Sequence, residues 1–286
     1  MGGVRCHDAE SSRLVHVFSL HSSAWSSLPP APLLYSELVG VGGHVTLIGG
    51  CDASTWKVTD KTATWDPDGE RWAESLPPMP VKRVRPGVTS SDGIVVVAGG
   101  LAEDMKHALE TVDVLDVTHH QWSSVSSLRL PRPMSCCHLV WCGDKVYLMG
   151  GLDEEKKPVG EMWVIPRSEL VTAREKSKGR NKGKKGGASV WMHKGKTPVT
   201  NASYFSSGSS PICVGGSDLE SKRSSNAVQL FNAATSQWAM GGALGVSRAH
   251  PCVVAVSATA FVVVGGCKSA RHVEDSMVAN IEYLFL

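Results

Sequence analysis

Ile94-Val95-Val96-Val97-Ala98-Gly99-Gly100 is the stretch on which the reading of this chain turns. Its β-branched residues favour a pleated backbone. No position before the glycines is polar, so the strand is expected to be buried on both faces. The two glycines then let the backbone leave the sheet through a positive φ or a close approach to another segment. Val112-Asp113-Val114-Leu115-Asp116 follows as a second strand, and Gln121-Trp122 opens a third after a polar turn.

The same pattern recurs along the chain. Glycine doublets stand at Gly2-Gly3, Gly49-Gly50, Gly99-Gly100, Gly150-Gly151, Gly215-Gly216 and Gly265-Gly266. A tryptophan follows at Trp25, Trp72, Trp122, Trp191 and Trp238. From the second glycine to the tryptophan is 22 residues in four cases and 40 in the one ending at Trp191, which therefore holds an insertion of 18. Self-similarity at about 50 residues is the mark of a repeat architecture.

Doublet glycines after an apolar strand, a short strand ending in Leu115-Asp116, and a downstream tryptophan together resemble the Kelch repeat. The counterparts of Leu115-Asp116 are Trp65-Asp66 and Phe231-Asn232. The resemblance covers nearly the whole chain. It implies an all-β fold, a Kelch-type β-propeller of four-stranded blades. Strands within a blade are called a to d, from inner to outer. Strand b ends in the doublet, and strand d starts near the tryptophan.

In chain order, Leu14–Phe18 reads as a strand c and Trp25 opens its strand d. Four full repeats follow. Their strands a and b include Glu37–Val41 with His44–Ile48, and Cys137–Trp141 with Lys145–Met149. Thr62–Trp65, Glu161–Ile165 and Val228–Phe231 serve as strands c, and Ile212–Val214 as a further strand b. Cys252–Val256, Phe261–Val264 and Ile281–Leu286 supply a last a, b and c. That makes 21 strands, in phase with six blades whose first and last members are incomplete. Residues 1–286 thus read as a single propeller domain, expected to be a truncated copy of a longer Kelch protein. Closure with five blades is the alternative, and it would set Ile281–Leu286 against Leu14–Phe18 for one strand position.

The insertion holds a Lys/Gly-rich basic run at 174–188, read as a solvated mobile loop inside one blade. A nuclear-localisation or nucleic-acid role is the other reading of such a run. The whole chain has a formal charge of only +2, which points to no partner, and nucleic acid is not expected as one. No run reaches the ~18 apolar residues of a membrane span. No apolar leader follows the first residues, and the eight cysteines form no CxxC pair or framework spacing. The expected setting is therefore a reducing one, cytoplasmic or else nuclear.

Cys136-Cys137-His138 with Cys142 contains soft metal ligands. Neighbours on a strand point to opposite faces, and structural zinc needs four convergent donors, so core packing is preferred there. No nucleophile motif or phosphate loop is present, and Tyr35, Tyr147, Tyr204 and Tyr283 are dispersed. No catalytic residue, metal or cofactor is therefore expected, with a propeller enzyme or small-molecule or metal binder as the alternative.

What remains is a face of loops. Turns of an up-and-down meander alternate between two ends, so the b–c and d–a loops share one face. The d–a loops carry Lys82, Arg83, Arg85, Arg129, Arg132 and Arg248; the b–c loops add Arg271. Arg83, Arg85, Arg132, Arg248 and Arg271 are the candidate partner-binding residues, suited to an acidic protein or peptide ligand. The competing reading is that these arginines pair with acids on neighbouring strands and brace the fold. The resemblance also implies substrate recognition for a cullin-type ubiquitin ligase, given a BTB segment upstream.

Overall fold

The computed structural model describes residues 13–19, 21–22, 24–124, 126–178, 189–218, 221, 223–257, 259–268, 278 and 280–285. The doublet Gly2-Gly3, Arg271 and residues 179–188 lie outside them. The chain divides into two compact units, Met1–Cys136 with Ala173–Ser189, and Cys137–Thr172 with Val190–Leu286.

The first unit opens with β1 (Val15–Ser19) and β2 (Ala24–Leu28), paired antiparallel. Next come β3 (Leu33–Leu34), β4 (Glu37–Val41), β5 (His44–Ile48), β6 (Cys51–Asp52), β7 (Thr62–Asp66) and β8 (Arg71–Ala73). A four-stranded antiparallel sheet forms in the order β4-β5-β7-β8, and β3 and β6 make a small ribbon beside it. The second such sheet consists of β9 (Gly87–Ser91), β10 (Ile94–Ala98), β11 (Val112–Asp116) and β12 (Gln121–Ser124), again in sequential order. All residues of β10 are buried, as its apolar run requires, and so are those of β11, Asp113 and Asp116 included.

The second unit contains β13 (His138–Cys142), β14 (Lys145–Met149), β15 (Glu161–Pro166), helix α1 (Arg167–Lys178, whose last six residues belong to the first unit) and β16 (Met192–Lys196). The next sheet is β17 (Ser203–Ser207), β18 (Ser210–Val214), β19 (Ala227–Asn232) and β20 (Gln237–Ala243). A three-stranded sheet of β21 (Cys252–Ala255), β22 (Ala260–Val264) and β23 (Ile281–Phe285) ends the unit. Apart from the β3–β6 ribbon, six sheets hold 21 strands among the described residues, the number counted from the sequence. The c position beside β22 is taken by β23, while β1 pairs only with β2 among the described residues.

Neighbouring sheets in each unit pack face to face through apolar side chains. In the first unit, Ile48 and Met79 meet Val95, Val97 and Leu115. In the second, Tyr147, Met149 and Met162 meet Tyr204, Cys213 and Phe231, while Ile212 and Val228 meet Phe261 and Val263. Val15, Leu33, Leu47 and Ala63 close the contact between the first two sheets.

The tryptophans add a directional bond between sheets. The indole N–H of Trp72 donates to Pro29 O (3.0 Å), that of Trp122 to Pro77 O (2.8 Å), and that of Trp238 to Lys196 O (3.0 Å). Each accepting carbonyl lies at or just beyond the outer strand of the preceding sheet. Trp191 is buried ahead of β16, whereas Trp25 is half exposed on the two-stranded sheet. Trp122→Phe keeps one aromatic ring but loses the pyrrole half of the indole with its N–H donor, and orphans a carbonyl. It should cost about 1 kcal/mol, read by denaturant unfolding; an unchanged midpoint would show the bond to be idle.

The insertion corrects one expectation. Residues 174–178 are not loop but the last part of α1. Arg167, Glu169, Leu170, Ala173, Arg174, Glu175 and Lys176 are all helix formers, and Glu169 lies in the first turn, where the helix dipole favours an acid. The helix start is pinned. Arg167 N–H donates to Asp144 O (2.7 Å), the Arg167 guanidinium sits 5.6 Å from the Trp141 ring centre, and Leu170 is fully buried.

Candidate functional site

Four d–a loops end in the same three-residue step, and the loop carrying Cys136 shares its last two positions. First comes a residue bridged to the position just after the glycine doublet: Leu34 to Cys51, Val84 to Leu101, Thr200 to Ser217, and Ala249 to Cys267. The next residue has a left-handed backbone although it is not glycine. Strand a starts two residues later. The left-handed residues are Tyr35 (φ 54°), Arg85 (52°), Cys136 (53°), Asn201 (54°) and His250 (51°). An L-residue pays roughly 1–2 kcal/mol to sit there, and such outliers persist where surrounding structure enforces them and often where function uses them.

The enforcing structure is a relay of backbone hydrogen bonds. In the first unit, Arg85 N–H donates to Tyr35 O (3.0 Å), and Cys136 N–H to Arg85 O (2.9 Å). In the second, His250 N–H donates to Asn201 O (2.7 Å). Within each unit the left-handed residues are thus tied to one another, and each side chain is held at the inner, loop-bearing end of its sheet.

In the first unit this builds a defined cluster. Arg85 is exposed, and its guanidinium lies 4.8 Å from the Tyr35 ring centre. Stacking of this kind contributes about 0.5–1 kcal/mol and holds the charge in place. Burial pushes the Cys136 thiol pKa up, and Arg85, which also hydrogen-bonds it, pulls it partly back. Water reaches Glu37, at the start of β4, but surrounding protein desolvates its carboxyl and pushes it up to about 7. In the second unit, Asn201 is half-buried and His250 exposed at the same repeat position.

The predicted arginines separate into two groups. Arg85 and Arg132 are exposed. Arg83 and Arg248 are fully buried, which corrects the expectation that they are displayed to a partner. Arg83 Nη1 donates to Gly99 O (2.9 Å) and Thr111 O (3.1 Å), and Nη2 donates to Thr111 Oγ1 (3.2 Å) and to Asp113. Ser124 Oγ donates to the other Asp113 oxygen. Burial pushes Asp113's carboxyl up, against the pull of Arg83 and Ser124. Arg248 repeats the arrangement, donating to Gly265 O (3.0 Å), Asn280 Oδ1 (2.8 Å) and Glu282. Repeats without such an acid place Leu33, Met134 or Val199 at the arginine's position. These two arginines therefore clamp strand c to the preceding loop, which is the bracing reading. On the surface, Arg129 pairs with Glu110 (2.7 Å) and Lys82 with Glu103 (3.5 Å).

The cysteine-rich segment is divided between surroundings. Cys137 and Cys142 are buried, burial pushes the Cys142 thiol up to about 12, and His138, packed 5.3 Å from the Tyr204 ring centre, is held down at about 4 by desolvation. No group of three or more metal-binding side chains converges among the described residues. Nor is any helix among them long and apolar enough to cross a membrane.

In the sequence Asn201 and His250 belong to no motif, and Tyr35 and Cys136 stand out only as a dispersed tyrosine and a soft metal ligand. A positional signal was there: each left-handed residue lies 14 residues before the first glycine of its doublet in four repeats, and 15 in the fifth.

Sheets in a-b-c-d order, glycine doublets and inter-sheet tryptophans define a Kelch-type propeller chain. The Kelch motif model matches residues 82–129. An F-box/kelch-repeat protein of Arabidopsis thaliana, At1g80440, is 25% identical over 93% of this chain and 70% of its own length. Kelch-like protein 35 of Mus musculus is 26% identical over 54% of this chain, which spans only 25% of that protein. The solved structure of YjhT superposes with a TM-score of 0.69 at 14% identity, covering 92% of this chain and 85% of that one, a likeness of fold alone. The chain is thus similar to Kelch-repeat β-propeller proteins in motif, sequence and fold.

Proposed function

We propose that this chain is a non-catalytic recognition module that holds an acidic protein or peptide segment on its b–c/d–a loop face. The repeats are read as blades of a six-bladed ring. Arg85 is the principal contact, with Tyr35 as its platform. The observation that carries the reading is the left-handed residue repeated at one position of five repeats. Strained, non-glycine and unequal in chemistry, these residues suit selection for what they display rather than for backbone comfort. Arg85's planar fork suits a carboxylate. Relatives named F-box/kelch and Kelch-like support a role in substrate recognition for a ubiquitin ligase, and an intracellular, cytoplasmic or nuclear, setting goes with it.

Affinity capture from lysate with wild type, Arg85→Glu and Arg85→Lys tests this. Charge reversal should reduce capture of the same partner about tenfold, or 1.4 kcal/mol, and lysine should retain part of it. Because Arg85 is exposed, the thermal midpoint should fall only by what the Tyr35 stack contributes, about 2–4 °C. Undiminished capture by Arg85→Glu would defeat the proposal.

A further inference from the structure

A groove of about 570 Å³ opens on the loop-bearing side of the first unit, between the segment before β9 and the loop that joins β10 to β11. Its apolar lining is Pro80, Val81, Ala102 and Leu109. Its charged lining is mainly acidic, with Asp60, Glu103 and Asp104 against one cation, Lys82.

These carboxylates are not equally available. Asp104 is committed to its own loop, accepting from Lys106 N (2.9 Å), His107 N (3.1 Å) and His107 Nδ1. Glu103 is held by Lys82 at 3.5 Å, with both side chains largely in solvent. A pair this exposed and this long is weak and exchangeable. Asp60 is half-buried at the groove wall, its own carbonyl fixed by Met79 N–H (2.8 Å). An incoming cation would therefore meet Asp60 directly and take Glu103 from Lys82.

We propose that this groove docks a partner segment with an aliphatic residue next to an arginine or lysine. The aliphatic group covers the apolar lining of Val81 and Leu109, and the cation bridges Asp60 and Glu103. The charge preference is opposite to that of Arg85, so the face would read two signs at two places. This site stands or falls independently of the acidic-ligand proposal.

The test is amide NMR of the chain titrated with N-acetyl-Leu-Arg-amide and, separately, N-acetyl-Leu-Glu-amide at millimolar concentration. The arginine dipeptide should shift the amides of Ala102, Glu103 and Leu109, with an affinity about 3- to 5-fold above the glutamate dipeptide, the range of exposed charge pairs. Lys82→Ala should strengthen it, since the internal competitor is gone. Asp60→Asn with Glu103→Gln should abolish the preference; Asp104 is left intact because it caps the loop. No shift from either dipeptide, equal affinity for both, shifts only around Arg85, or weaker binding in Lys82→Ala would each overturn the proposal.

Discussion

Asp113→Ala is expected to lower the stability of this chain by about 3–5 kcal/mol, the usual cost of orphaning one member of a buried ion pair. Arg83 and Asp113 are both fully buried, so no water can replace the lost partner. The guanidinium would keep its carbonyl acceptors at Gly99 and Thr111, but its charge would be uncompensated. The chain itself supplies the compensating design. Another repeat fills the same two positions with Leu33 and Ala63, both buried in one apolar cluster. The double variant Arg83→Leu with Asp113→Ala copies that solution. It should recover most of the loss, retaining about 1–2 kcal/mol from the donor removed from the Gly99 carbonyl. Urea unfolding of the three proteins decides the matter. A single variant within about 1 kcal/mol of wild type, or a double no better than the single, would show that the clamp is not what holds the loop.

The same pair shows where sequence reading reached and where it stopped. The repeat was legible because apolar runs, doublets and tryptophans act locally, each marking its own strand. The role of Arg83 was not, because it depends on Asp113, 30 residues later. Nothing local distinguishes Arg83 from Arg85, two residues away, yet one is buried in an ion pair and the other lies exposed against Tyr35. Comparison across repeats could have separated them. An arginine at that loop position accompanies an acid on strand c, and an apolar residue stands there when strand c has none. Helix α1 is hidden for another reason: its basic residues suit a solvated loop, yet arginine and lysine are also good helix formers. The left-handed residues have no compositional signature, since Tyr, Arg, Cys, Asn and His share only their phase in the repeat.

Gly99→Ala should cost about 3–4 kcal/mol, whereas Gly265→Ala should cost only about 1–2 kcal/mol. The two glycines hold the same place in their doublets, and their backbones are nearly alike, with φ +62° and +66°. The strain of putting a side chain in the left-handed region is therefore common to both. Their surroundings differ. A Cβ on Gly99 would lie 2.3 Å from the Met134 carbonyl oxygen, part of a backbone held in place by the bond from Gly100 N–H to the same oxygen (2.9 Å). A Cβ on Gly265 meets nothing within 4 Å among the described residues. The difference between the variants thus isolates the steric cost of pushing one repeat's loop away from the preceding doublet. It should appear as a thermal midpoint about 4–8 °C lower for Gly99→Ala than for Gly265→Ala. Equal losses would mean that the doublet is conserved along the chain for backbone freedom alone. The larger loss at Gly99 would mean that it is also the socket into which the next repeat's loop carbonyl fits, the contact that fixes the loop carrying Cys136 and, through its relay, Arg85.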